Sequence, residues 1–296
     1  MRKAPLMLPL PSRIVVFLGC LAILASAVCF YISTVIVRWS EKEVAIDAGY
    51  FVFFRFLMGF IVICGILAVQ RKGLRPRRYD LLIGRTVFNC VAVFCFYRAV
   101  TVTSLAEANI LNMTYPIFLA VISWFVLKAQ RDRVAVAMVI AAFAGIWLIL
   151  SPGRISPELG NLWGLSSGIT ASVAILYLNI SRQYHDTETI LFYVFGLGGV
   201  LIYVLFFRQI FWPDVTAFKY LFWCAVFGVG GQYLITIGFR YVTAVEGAIL
   251  SSTRILMAAV LGPWIALDPP LTASGWIGAL LIFIANVVLT VRKSGK

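Results

Sequence analysis

Glu246-Gly-Ala-Ile-Leu-Ser-Ser-Thr-Arg254-Ile-Leu-Met-Ala-Ala-Val-Leu-Gly-Pro263 is apolar enough to span a membrane, yet it carries an arginine near its middle. At a rise of about 1.5 Å per residue, Arg254 sits roughly 12 Å inside a helix that starts at Glu246. That depth approaches the midplane of a hydrocarbon core about 30 Å thick. A charge there costs about 2.5–3.5 kcal/mol on translocon scales, so the side chain must face a wet cavity, a partner or a ligand. A structural ion pair, or an arginine bonded to backbone carbonyls, would meet the same constraint. In every case the residue points inward, away from lipid.

The rest of the chain is of the same kind. Of its 296 residues 62% are hydrophobic and 12% charged, with a mean hydropathy of +0.97. This is the composition of a polytopic membrane protein. The net charge of +13 lies in short basic stretches between apolar runs. Such a distribution is a topology signal and does not indicate nucleic-acid binding. All six cysteines (Cys20, Cys29, Cys64, Cys90, Cys95, Cys224) fall inside apolar runs and read as small buried hydrophobes. His185, the only histidine, lies in a polar loop, which leaves no material for histidine-based metal or triad chemistry. No cofactor is expected. Gly196-Leu-Gly-Gly199 and Gly228-Val-Gly-Gly231 lack the preceding strand of a nucleotide site and read as packing surfaces.

Ten transmembrane helices are expected, over 14–37, 50–69, 81–101, 107–127, 134–150, 163–180, 189–207, 220–239, 246–267 and 275–291. With the N-terminus inside, 16 basic residues fall in cytoplasmic segments and 5 in outer ones. Four more (Arg55, Arg85, Arg98, Arg254) lie within spans. The bias predicts that both termini are cytoplasmic. Trp39, Trp163, Trp212 and Trp276 stand near span ends, as interfacial anchors do.

A shift of 139 positions lays Ser104-Leu-Ala-Glu107-Ala-Asn-Ile-Leu-Asn112 over Thr243-Ala-Val-Glu246-Gly-Ala-Ile-Leu-Ser251 without a gap. Both pieces open the fourth helix of a five-helix set. Because five is odd, the two sets enter the membrane from opposite sides. Such inverted repeats are a transporter signature, with the site near the midplane between halves. The halves are 1–150 and 151–296, joined by the turn-rich Ser151-Pro-Gly-Arg-Ile-Ser-Pro157.

Particular residues carry a family resemblance. They are Phe53-Phe-Arg55, Phe96-Tyr-Arg-Ala99 leading to Ser104-Leu-Ala-Glu-Ala108, Tyr115-Pro116 with a following basic loop, Gly145 and Ser151-Pro152. In the second half Tyr241-Val-Thr-Ala244 and Gly278-Ala-Leu-Leu-Ile282 match as well. The chain resembles the EamA-like ten-helix branch of the drug/metabolite transporter superfamily over nearly its whole length. The resemblance implies a cavity lined by the first, third, fourth, sixth, eighth and ninth helices, export as the direction, and the inner (cytoplasmic) membrane as the location. Ser252-Thr-Arg254 departs from the apolar or proline-bearing stretch usual at that place in the family.

Polar residues at three- and four-residue spacing mark one face on several helices. Asn89 and Tyr97 lie with Arg85 on the third, Asn112 and Tyr115 on the fourth, and Tyr177 on the sixth. Gln232 lies on the eighth, and Ser251 on the ninth beside Arg254. Any one of these could instead join helices at about 0.6 kcal/mol each. Together they predict a polar cavity with Arg254 as an anionic anchor and the tyrosines as amphipathic contacts. Glu107 and Glu246 begin their helices, where capping or proton coupling are the alternatives. The expected function is secondary export of a small metabolite, an amino acid or related carboxylate-bearing compound; a lipid or lipid-linked-sugar flippase is the alternative. The expected partners are that substrate and the lipid bilayer, without nucleic acid, and a homodimer is left open. No nucleophile–base constellation supports an enzyme.

Overall fold

The computed structural model describes residues 13–126, 133–150, 160–242, 244–267 and 269–294. Among the described residues there is no strand. The helices are α1 (Arg13–Glu43), α2 (Ala48–Gln70), α3 (Tyr79–Val102), α4 (Leu105–Asn112), α5 (Tyr115–Val126) and α6 (Arg133–Leu150). They continue as α7 (Asn161–Ser181), α8 (Thr187–Phe206), α9 (Val215–Tyr241), α10 (Ala244–Ile265) and α11 (Ala273–Ser294). Among the described residues seven helical segments are long and apolar enough to cross a membrane, the pair α4–α5 counted as one (Leu105–Ile122), and three shorter ones are apolar as well. Large apolar side chains such as Ile61, Val200, Val204 and Trp264 stand on the outside, where lipid is their solvent. The protein is an all-helical, polytopic membrane protein.

Several of the acids mark helix starts. Asp47, Asp186 and Asp214 cap α2, α8 and α9, accepting from Gly49, Thr189 and Ala217 N–H at 2.7, 3.0 and 2.9 Å. Each satisfies a donor that the first helical turn leaves open, beside the positive end of the helix dipole. Ser104 and Glu107 make a reciprocal capping box on α4, with Glu107 N–H donating to Ser104 Oγ at 3.2 Å and Ser104 N–H to Glu107 Oε2 at 3.3 Å. Glu107→Gln should therefore lower stability by about 0.3–1 kcal/mol and leave any response to a pH gradient in place. Thermal midpoints and pH-driven exchange check this; exchange that loses its gradient response would make Glu107 a proton site. The Glu246 side chain, Thr243 and the 151–157 linker lie outside the described residues.

The fourth span is not one helix, as expected from sequence, but two. α4 ends at Asn112 and α5 begins at Tyr115. Pro116 cannot donate to the preceding turn, and its ring clashes with a continuous helix there. As the second residue of α5 its missing N–H leaves nothing unpaired. Freed groups at the break find partners near and far in the chain. Thr114 Oγ1 donates to Leu111 O at 2.6 Å, and Asn286 Nδ2 of α11 donates to Met113 O at 2.9 Å. Pro263 lies inside α10 two residues before its end.

The most extensive helix contacts pair α1 with α9, α3 with α7, α6 with α11 and α2 with α8. Glycines allow the close approaches. A Cβ on Gly278 would stand 2.7 Å from Gly145 O, and one on Gly145 would stand 2.8 Å from Gly278 O. Gly160 at the head of α7 meets Thr103, while Gly164 and Gly168 within it receive Leu111 and Thr114, which places the interrupted span against α7.

Candidate functional site

The break in the fourth span faces a cavity of about 100 Å³ inside the bundle. Its wall takes Ser26 and Phe30 from α1, Arg55 from α2, Arg85, Asn89 and Phe96 from α3, and Asn112 and Tyr115 from either side of the break. Ala174 of α7, Gln232 of α9, and Ser251 and Arg254 of α10 also line it. Six sequence-predicted site residues thus meet here: Arg254, Asn112, Tyr115, Asn89, Gln232 and Ser251. The helices are those that the family resemblance implies, with α2 added.

Two predicted residues do not reach the cavity. Tyr97 is fully buried behind it: its hydroxyl lies 2.9 Å from Ser33 Oγ and accepts from Arg55 Nη1 at 3.1 Å. Tyr97 therefore positions Arg55 and lines no space. Tyr177 turns away, stacked on Phe88 at 5.8 Å between ring centroids and covering Gly84. A polar stripe shows which residues share a face; it does not show how far each side chain reaches.

Two more arginines line the cavity: Arg85, part of the polar stripe on the third helix, and Arg55, which no stripe included. Their signal was present, since each is a charge inside an apolar run. Arg55, Arg85 and Arg254 are 3%, 3% and 4% exposed. Among the described residues none of the three forms an ion pair with a carboxylate. Arg254 Nη2 donates to Asn112 Oδ1, and Asn112 Nδ2 donates to Ser167 Oγ at 2.9 Å. Asn112 is the last residue of α4, so the Arg254 cation also meets the negative end of that helix dipole. The Arg254 guanidinium stands 5.0 Å from the Phe96 centroid and 5.8 Å from that of Phe30, while Arg55 stands 5.3 Å from the same Phe30 ring. These faces offer cation–π attraction. Arg55 Nη2 donates to Gln232 Oε1 at 3.5 Å. Arg55 Nε, Arg85 Nε, Arg254 Nε and Asn89 Nδ2 find no hydrogen-bond partner among the described residues. All four are donors, so the wall presents positive charge and asks for acceptors.

At one end of the bundle the turn between α2 and α3 is tied to the turn between α7 and α8. His185 Nε2 accepts from the Arg77 and Arg78 backbone N–H groups at 3.1 and 3.2 Å. These two donors require an unprotonated Nε2, so the ring proton sits on Nδ1, 3.0 Å from Ser181 O. Lys72 pairs with Glu188 at 3.3 Å beside it. Burial, helped by the Arg77 charge and opposed by Ser181, Asp186 and Asp80, pushes the His185 pKa down. The unfolded chain therefore takes up this proton first, near about pH 6.5. The histidine's contribution is complete above that pH and is lost as pH falls below it. The thermal midpoint should fall more steeply from about pH 7.5 to 5.5 in the native chain than in His185→Gln; equal slopes would show that His185 does not act as this pH-sensitive tie.

The EamA-like transporter family model matches residues 17–151 and again 158–291. An uncharacterized transporter of Helicobacter pylori is 25% identical, over 94% of this chain and 96% of its own length. The pseudopaline exporter CntI of Pseudomonas aeruginosa is 24% identical, over 93% and 96%. A riboflavin transporter of Rhizobium johnstonii is 22% identical, over 94% and 92%. One crystal structure shares the fold at a TM-score of 0.63 and 17% identity, covering 94% of this chain and 99% of that one. With both halves of the chain matched, this protein belongs to the EamA-like transporter family of the drug/metabolite transporter superfamily, and is a transporter and not an enzyme.

Proposed function

We propose that the protein is a secondary transporter that exports a small carboxylate-bearing metabolite, an amino acid or a related compound, across the cytoplasmic membrane. The observation that carries this is Arg254, buried in a cavity shared by both halves of the chain, with no carboxylate paired to it among the described residues. Mostly apolar walls with a few convergent polar groups suit a small organic anion. The exporter among the relatives favours the direction. The chain has no Gly-x-x-x-x-Gly-Lys-Ser/Thr motif, so the energy comes from a gradient or from the cargo itself.

The proposed mechanism is alternating access of two inverted five-helix halves, 1–150 and 151–296, with ten spans and both termini in the cytoplasm. Four observations support it. The family model matches once per half. The helix pairings α1–α9 and α3–α7 exchange under a two-fold relation that leaves α2–α8 and α6–α11 paired. α4 begins at Leu105 and α10 at Ala244, 139 positions later. At the same offset Asn112 corresponds to Ser251 and Tyr115 to Arg254, and all four line the cavity.

Two experiments test the reading. A library of small metabolites is screened for thermal stabilisation of the purified protein; a ligand at a hundred times its Kd adds about 2.7 kcal/mol. Carboxylates should dominate the stabilising set, and a set made only of cations or neutral lipids would overturn the anionic cargo. For orientation, a cysteine at Thr216 in a cysteine-free background should react with an impermeant thiol reagent added outside. One at Gly73 should stay silent until the membrane is permeabilised, and the reverse pattern overturns the cytoplasmic termini.

A further inference from the structure

The cavity holds more charge than one carboxylate can neutralise, and we infer that its cargo carries at least two negative charges on one small molecule, held jointly by Arg254, Arg55 and Arg85. This rests on the anionic-cargo reading above and adds the number of charges.

The acids of this chain cannot do the neutralising. All twelve lie outside the middles of the apolar runs, and among the described residues none pairs with these three arginines. Arginine does not deprotonate in proteins, so it cannot shed the charge as a buried lysine can. Neutral neighbours share it only in part. Arg254 has the Asn112 carbonyl, Arg55 has the Tyr97 hydroxyl and Gln232, and each keeps a free Nε donor. Arg85 Nε has no partner among the described residues.

The three come from different helices, α10, α2 and α3, and line one cavity. Arg55 and Arg254 flank a single ring, Phe30. A monocarboxylate would engage one fork and leave the repulsion among the others. A second anionic group relieves it and finds a ready donor set. Between the charges the wall is apolar, with Ala92, Val93, Ile175 and Ile235, which fits a short carbon skeleton joining two carboxylates. A phosphate ester offers the same double charge on one group.

The test measures binding to the purified full-length protein at constant ionic strength, because screening would otherwise mask the comparison. The probes are butyrate, succinamate, succinate, citrate and glycerol 3-phosphate. Succinate or citrate should bind about ten-fold or more tighter than butyrate and succinamate, the gain expected for one more charge-assisted contact. Glycerol 3-phosphate ranking first would support the double charge and assign it to a phosphate. Arg85→Gln should erase the advantage and Arg85→Lys should retain part of it, so the lysine variant separates loss of charge from loss of fold. Equal affinity for the monoanions and the dianions would overturn this inference and leave an anionic cargo standing. If none of the five binds and Arg254→Gln alters nothing, it is the anionic-cargo reading itself that fails.

Discussion

Arg254→Gln is expected to lower cargo affinity by about 100-fold or more while the protein remains folded and inserted. Truncating one member of a buried, hydrogen-bonded charge pair costs about 2–5 kcal/mol, which spans that factor. The fold should survive for a reason visible in the partners. Arg254 is held by the Asn112 side chain and by the Phe96 and Phe30 rings, and no carboxylate would be stranded by its loss. The relay from Asn112 to Ser167, and from Ser167 Oγ to Gly164 O at 2.7 Å, persists without it. Arg254→Lys keeps the charge but loses the planar fork, so its loss should be intermediate. Cargo affinity is measured beside monodispersity in detergent for both variants. Aggregation of the glutamine variant would mean that Arg254 joins α10 to α4 as a structural element. A monodisperse variant with normal affinity would remove the residue from the site.

Gly278→Val should be the most damaging single change away from the cavity. At this crossing of α11 with α6 two backbones meet, and a Cβ at 278 would stand 2.7 Å from the Gly145 carbonyl and 2.9 Å from Ile149 Cγ1. Backbone oxygen cannot swing aside as a flexible side chain does, so the helices must part. Overpacking of this kind costs about 1–3 kcal/mol, and valine adds two further carbons. In a membrane the loss is not offset by hydrophobic driving force, because helix association there depends on close packing of small residues. Gly65→Ala in α2 is the control. A Cβ there meets nothing within 4 Å, so helix propensity should make it neutral or stabilising by up to about 1 kcal/mol. Thermal midpoints of the two variants decide the matter: similar values would show that α6 and α11 are not held at this distance.

Under the proposed alternating access the site is exposed to each side in turn, and two sets of contacts join separate elements at the two ends of the bundle. The His185 tie to Arg77 and Arg78, with the Lys72–Glu188 pair, joins the α2–α3 turn to the α7–α8 turn at one end. At the other, Trp39 Nε1 donates to Ile265 O at 2.8 Å and Lys42 Nζ to Ala266 O at 3.0 Å, joining α1 to the end of α10. Both sets consist of a few hydrogen bonds between separate elements. Such contacts can exchange without repacking the core, which is what an element with two arrangements needs.

Local rules, readable along the chain, account for part of this architecture. Apolar runs with acids confined to their ends specify membrane helices, because hydrocarbon leaves no other way to satisfy the backbone. The starts at Asp47, Ser104, Asp186 and Asp214 follow from cap chemistry within three residues. The inward direction of Arg254 follows from its depth alone. Tertiary structure decided which of the inward groups meet. It placed Tyr97 behind Arg55, turned Tyr177 onto Phe88, brought Arg55 and Arg85 beside Arg254, and opened the fourth span at Met113 and Thr114. A stripe on a helix records a face, but the rotation of that face and the helix it meets are set by packing between residues far apart in the chain. The glycine contact between positions 145 and 278 is one such case, and no local pattern contains it.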